Sequence, residues 1–112
     1  MKLEKESWDF KDENFGPLLP YVQDDLITDI NYNGTDVWVE HLQKGIYKTS
    51  VQLSAEFVSQ FSIRIANVVS QQINKYNNVL EAETDTLRIS IIHPSATNTG
   101  YSISIRKTPV VM

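Results

Sequence analysis

Two stretches near the end of this chain alternate strictly between apolar and polar residues, and that alternation limits the possible fold more than any other feature. They are Leu87-Arg88-Ile89-Ser90-Ile91 and Tyr101-Ser102-Ile103-Ser104-Ile105-Arg106. Successive side chains of a strand point to opposite faces. Each stretch therefore puts Leu, Ile or Tyr on one face and Arg or Ser on the other, the pattern of a half-buried antiparallel strand. The loop from His93 to Gly100 joins the two. An apolar sheet face needs a cover, and the sequence supplies one upstream. Val58, Phe61, Ile65, Val68 and Val69 recur at helical spacing, behind a Ser54 suited to cap a helix starting at Ala55. Phe57, Ile63 and Ala66 widen this stripe, and Ser59, Gln60, Asn67 and Gln71 lie opposite. The helix is expected to end between Asn74 and Asn78, where Asn-rich turn chemistry takes over.

The first half reads as a short helix followed by a meander. Gly16-Pro17 precedes Leu18, Leu19 and Val22, and Pro17 suits a first helical turn because its missing N–H is not needed there. Ile27 to Asn33 forms a strand, and Asn33-Gly34 a turn, since both residues tolerate positive φ. Val37-Trp38-Val39-Glu40-His41-Leu42 forms a second strand. After Lys44-Gly45, Ile46 to Val51 forms a third. The order of helix, three strands, long helix and two strands predicts an α+β domain, a mainly antiparallel sheet with its helices packed on one face.

Composition narrows the function classes. At 112 residues and 41% hydrophobic content the chain suits one domain with its own core. There is no Cys, hence no disulfide framework and no thiolate chemistry. A net charge of −4 argues against nonspecific binding to a nucleic-acid backbone, and no nucleic-acid partner is expected. No apolar run approaches the length of a membrane span, and the N-terminus lacks the apolar region of a secretory signal. Residues 1–15 read as an acidic lead-in with Trp8, Phe10 and Phe15 as docking points. The last residues, Thr108-Pro109-Val110-Val111-Met112, are apolar straight after a strand pattern. The expectation is a chain that continues in a longer protein, with residues 108–112 opening a linker.

No complete catalytic site is legible. His41 and His93 lie in different elements, read as surface or strand-end residues, without the clustered ligands a zinc site needs. Asp24, Asp25 and Asp29 read as a solvated helix end. Glu81, Glu83 and Asp85 read as a connection before a strand. There is no nucleophile elbow around a serine. None of Gly16, Gly34, Gly45 and Gly100 opens a phosphate-binding loop of the G-x-x-x-x-G-K-[ST] type. Arg88 and Arg106 are different. Each falls on the polar face of a strand, and the two strands are able to pair. Two guanidinium groups on one face suit phosphate oxygens, although ordinary exposed positions account for them as well.

The order of motifs resembles a known family. Leu18-Leu19-Pro20 and Asp25-Leu26-Ile27-Thr28-Asp29-Ile30-Asn31-Tyr32-Asn33-Gly34 are similar to the "VTDI-x-x-NG" opening of the secretion-type traffic ATPases. Val37-Trp38-Val39-Glu40 matches the "VWVE" strand that follows, and Arg64-Ile65-Ala66 the "RIA" of the long helix. Leu87-Arg88-Ile89-Ser90 to Pro94 is similar to the segment "G-S-R-V-x-x-x-x-P-P", and Ser104-Ile105-Arg106-Lys107 to the closing "SIRK". Ala82 to Arg88 departs from the family's "L-P-D-G-S-R" in lacking Pro and Gly, and His93-Pro94 stands for its Pro-Pro pair. These hexameric ATPases serve type II secretion, type IV secretion and conjugation, and type IV or Tad pilus assembly; the conjugation and Tad-pilus branch is the nearest in flavour.

The resemblance implies that residues 16–107 form the N-terminal PAS-like domain of such an ATPase, beside a RecA-like core that lies outside this chain. It implies a part in ring assembly, and nucleotide held between the two domains. Arg88 and Arg106 would contact its phosphates, with Arg64 a third candidate by motif position. No catalytic residue and no metal ligand is assigned within the chain, which is expected to be inactive alone. ATP and Mg belong to the full-length parent. The implied partners are the protein's own ATPase core, neighbouring subunits of the hexamer, and inner-membrane secretion or pilus components. The implied place is the cytoplasm, peripheral at the cytoplasmic membrane. The alternative is a free-standing PAS-like sensor or adaptor that binds a small ligand or a protein.

Overall fold

A computed structural model describes residues 11–84, 86–97 and 100–107. Trp8, Phe10, Asp85 and the segment 108–112 lie outside them. A 3-10 segment, Asp12–Leu18, leads into a one-turn helix α1, Leu19–Val22. Three strands follow: β1 (Ile27–Tyr32), β2 (Val37–His41) and β3 (Gly45–Lys48). The long helix α2 covers Ala55–Val68, and three more strands complete the chain: β4 (Val79–Glu83), β5 (Leu87–Ile92) and β6 (Ser102–Lys107). All six strands form one antiparallel sheet in the order β3-β2-β1-β6-β5-β4. The fold is α+β, as the alternation and the helical stripe imply, and PAS-like, as the family resemblance implies.

Two three-stranded meanders thus meet along β1 and β6. Helix α2 carries the chain from one edge strand, β3, to the other, β4, and its apolar stripe covers the sheet face it crosses. Val58, Phe61, Ile65 and Ala66 are buried there with Ile30, Val37, Val39, Ile89, Ile91, Ile103 and Ile105. Ser54 caps the helix as its sequence position implies, its Oγ accepting the Phe57 N–H at 3.0 Å. Ser62 is also fully buried, which is possible because its hydroxyl donates to the Val58 carbonyl at 2.8 Å. Phe15 of the N-terminal segment is buried too, its ring 5.9 Å from that of Phe61.

Several expectations are corrected. Helix α2 ends at Val68, not between Asn74 and Asn78. Ser70 takes the left-handed conformation, φ 56°, and the Ser70 and Gln71 N–H groups donate back to the Asn67 and Ala66 carbonyls. That is a Schellman stop, with serine where glycine is usual, so the ordinary punctuation mark is missing. The Asn-rich turn does exist further on, where Asn74 Oδ1 accepts the N–H groups of Tyr76 and Asn77. Ile63 is exposed and Val68 only partly buried, so the apolar stripe is narrower than its sequence suggests.

The segment holding Glu81 and Glu83 is strand β4 rather than a connection. Leu80 and Ala82 turn inward and both glutamates outward. Ala and Glu are poor strand formers, and pairing with β5 overrides that preference. Asp29 lies in β1 rather than at a helix end, and β2 stops at His41, leaving Leu42 exposed. His41 is a strand-end residue but is buried, its Nδ1 accepting the N–H groups of Gln43 and Lys44. Strand β3 ends at Lys48, because Thr49 turns inward and its hydroxyl donates to the Val37 carbonyl at 3.0 Å.

Gly16 is the tightest point of the N-terminal segment. Its φ of +54° and ψ of −129° suit glycine alone, and an added Cβ would sit 2.6 Å from Cε1 of Phe57. Gly16→Ala should destabilise the domain by about 1–3 kcal/mol from backbone strain, with the clash in addition. Pairing it with Phe57→Leu should recover only the steric part, as read by thermal melting. Phe61 lies 1% exposed between Phe15 and Phe57. Phe61→Ala should cost about 3–5 kcal/mol in a denaturant titration with an unchanged slope. A loss well below that range would mean that this core is not packed as described.

Candidate functional site

The face of the sheet turned away from α2 carries no helix among the described residues. Alternation along each strand decides which residues it shows, and the register decides which of them meet. Asp29 pairs with Glu40 on one side and Arg106 on the other, Arg106 pairs with Arg88, and Arg88 with Glu83. A charged row therefore crosses β2, β1, β6, β5 and β4 in the sequence Glu40, Asp29, Arg106, Arg88, Glu83. Beside it runs a second row, in which Trp38 is followed by the polar residues Asn31, Ser104, Ser90 and Glu81. Ser104 donates its hydroxyl to Asn31 Oδ1 at 2.9 Å, which ties β6 to β1 within that row. Between the rows lies an open depression of about 540 Å³, lined by residues of both.

Arg106 and Arg88 are brought side by side, as their strand positions imply. Arg106 donates Nε–H to Asp29 Oδ2 at 3.1 Å and remains 73% exposed. Arg88 has no ion-pair partner among the described residues. Like charges directly opposite each other on paired strands are destabilising, and a single exposed ion pair contributes little in return. Arg88 also faces Glu83 of β4 in register, an opposite-charge pairing that offsets part of this repulsion, and the two guanidinium groups stand side by side on an open face. Their reach and fixed charge suit an oxyanion, which accepts two parallel hydrogen bonds from one guanidinium.

Arg64 is not part of this face. It lies on the exposed side of α2, across the sheet from the pair, and donates from Nη1 to Asn14 Oδ1 at 3.2 Å. Its surroundings form a small separate hollow with Glu13, Gly16, Phe57 and Gln60. His93 lies at the far end of β5, where its Nδ1 accepts the Ser95 N–H and its ring meets Tyr101 edge-on. Asp24 caps its own turn by accepting the Leu26 N–H. Among the described residues no group of three or more His, Cys, Asp or Glu side chains is placed to hold a metal ion. None of their helices is long and apolar enough to cross a membrane.

Two residues of this region carry more than their sequence positions suggest. Asp29 is the acceptor that holds Arg106; an irregularity between Ile27 and Asp29 breaks the alternation of β1, so local pattern did not mark its face. Lys107 ends β6 with Nζ donating to the carbonyls of Tyr21 and Asp24. Burial lowers its pKa, with the charges of Asp25 and Asp24 opposing that shift. The ammonium satisfies carbonyls at the end of α1, and it clamps the last strand to the N-terminal helix.

The fold and this face together define a PAS-like α+β domain with an open, arginine-bearing sheet surface. Among solved structures, the chain is similar to the VirB11 ATPase from the Brucella suis type IV secretion system, solved in complex with sulphate. The TM-score is 0.80 and the identity 28%, over 91% of this chain and 33% of that one. The likeness bears out the resemblance to the N-terminal domain of a secretion ATPase, and it supports a domain of the type IV secretion kind. This chain spans about one third of the length of that ATPase. No family model matches the sequence, and no curated protein matches it.

The like-charge contact yields a direct check. Arg88→Ala should leave the thermal midpoint of the domain nearly unchanged, because it removes both the repulsion from Arg106 and the opposing attraction of Glu83. Added salt should narrow any difference by screening. A clear fall in midpoint would assign Arg88 a structural role instead.

Proposed function

We propose that this chain is the N-terminal domain of a hexameric ATPase that drives secretion, conjugation or pilus assembly. In this reading the domain helps to assemble the ring and completes the nucleotide site at a cleft shared with its ATPase core. Hydrolysis belongs to that core, which supplies the phosphate loop and the Mg ion; this chain supplies positive charge. The observation that carries the reading is the adjacency of Arg88 and Arg106 on the open face, in a domain so similar to one of VirB11.

The chemistry follows from the geometry. A phosphoryl group in transfer spreads negative charge over its oxygens, and preorganised donors aimed at that charge lower the barrier. Arg106 is oriented through Nε, which leaves its terminal nitrogens for an incoming oxyanion. Arg88, in register beside it, presents a second fork. The VirB11 ATPase to which the chain is similar was solved in complex with sulphate, a tetrahedral oxyanion with the shape of a phosphoryl group. A cleft that closes on phosphate would also couple nucleotide state to movement of the domain. Neighbouring subunits and inner-membrane components of the secretion machine are the partners that this reading implies, at the cytoplasmic side of the membrane. Arg64, on the opposite side of the sheet, is assigned no phosphate contact.

The test is steady-state ATP hydrolysis by the full-length protein. Losing one charge-assisted contact costs about 1.5–3 kcal/mol, so Arg88→Ala and Arg106→Ala should each slow turnover roughly ten- to a hundred-fold. Lysine at either position should rescue only in part, because it lacks the planar fork. Melting of the isolated chain should be nearly unaffected. If both variants and their combination hydrolyse ATP like wild type, the arginines are surface residues and the domain's role reduces to assembly or docking.

A further inference from the structure

Asp29 stands on the open face and holds one of the two arginines on which the proposed function relies. Both of its oxygens are engaged. Oδ1 accepts the Thr28 hydroxyl at 2.8 Å, and Oδ2 accepts Nε of Arg106 at 3.1 Å. The aspartate side chain is 17% exposed and the arginine 73%. The contact therefore takes only one edge of the guanidinium. The terminal nitrogens of Arg106 have no partner among the described residues, and Arg88 lies directly beside them in register. Glu40 and Glu81 line the same depression, which holds one more carboxylate than guanidinium. An anion settling between the arginines meets two attractive charges at close range and Asp29 immediately behind one of them.

We propose that Asp29 is the resident counter-ion of this site: it orients Arg106 through Nε and at the same time holds down the affinity of the face for phosphate-like oxyanions. The inference rests on the anion-binding reading of Arg88 and Arg106 given above. The two effects have opposite signs, and magnitude decides between them. Orientation by one exposed hydrogen bond is a weak constraint on a side chain as open as Arg106. Repulsion between unit charges about 4 Å apart in water corresponds to roughly a fivefold factor in binding, and it grows with the charge of the anion. Competition therefore outweighs orientation. The consequence for the whole machine is that phosphate binds weakly to the open face and gains affinity only when a cleft closes and adds further donors.

Asp29→Asn separates the two effects, because asparagine keeps the shape and can turn its one oxygen to Arg106 Nε–H while its amide donates to the Thr28 hydroxyl oxygen, so that only the charge is lost. The measurement is a titration of the chain with inorganic phosphate and with sulphate, followed through the arginine Nε–H resonances. It compares wild type, Asp29→Asn, Arg88→Ala, Arg106→Ala and the double variant Asp29→Asn/Arg106→Ala. Asp29→Ser serves as a second removal of the charge, and thermal melting accompanies each variant. The expected result is binding tightened roughly fivefold or more in Asp29→Asn, a gain that shrinks at high salt and disappears in the double variant. A residue with a purely structural role would give a loss instead. Unchanged or weaker binding in both Asp29 variants overturns the inference, as does a gain that survives loss of Arg106. If Arg88→Ala and Arg106→Ala weaken phosphate binding while the Asp29 variants fail to strengthen it, the counter-ion role falls and the anion-binding reading stands. If phosphate shifts neither wild type nor Asp29→Asn, both fall together.

Discussion

The pairing of β1 with β6 is the contact on which the rest of the structure depends. These strands are separated by most of the chain, yet their register joins two meanders into one sheet. Ile30 faces Ile105 across this seam, and Tyr32 faces Ile103, so the centre of the core is formed there. The same register puts Asp29 against Arg106 and Asn31 against Ser104 on the opposite face. Because side chains alternate with a period of two, a slip by one residue would expose the isoleucines and bury the charges. One register therefore serves both the stability of the core and the make-up of the candidate site.

The two faces of the sheet obey different physics. On the covered face, apolar area removed from water provides the stabilisation, and buried polar groups such as Ser62, Thr49 and His41 each have a hydrogen-bond partner inside the protein. On the open face, charges stand in water, pairs contribute little, and a like-charge contact is tolerated. Arg88 opposite Arg106 is a local conflict that the flanking Glu83 and Asp29 only partly offset. Sites where local consistency is given up are where function is expected, and the Arg88–Arg106 pairing is such a place on this sheet.

Lys107 adds a mechanical element to this arrangement. Arg106 and Lys107 are adjacent on β6, and alternation turns them to opposite sides. Arg106 reaches Asp29 on the open face, while Lys107 reaches the carbonyls that end α1. A single strand end is thus tied to the N-terminal helix on one side and to the charged row on the other.

Local pattern alone determined much of this molecule. Strict alternation in β5 and β6, the apolar stripe of α2 behind its Ser54 cap, and the Asn33-Gly34 turn are short-range features, set by side-chain spacing and backbone preference. They sufficed for an α+β sheet with helices on one face, and for placing Arg88 and Arg106 on its polar side. The tertiary structure decided what depends on contacts between distant residues. Strand β4 exists because β5 offers Leu80 and Ala82 a place in the core, against the preference of its glutamates and alanine. Helix α2 stops early because Ser70 adopts a conformation usually left to glycine. Asp29 became the partner of Arg106 only through a register between strands 77 residues apart. Pairing across the chain is fixed by how two apolar faces share one core, and no local window of sequence contains that information.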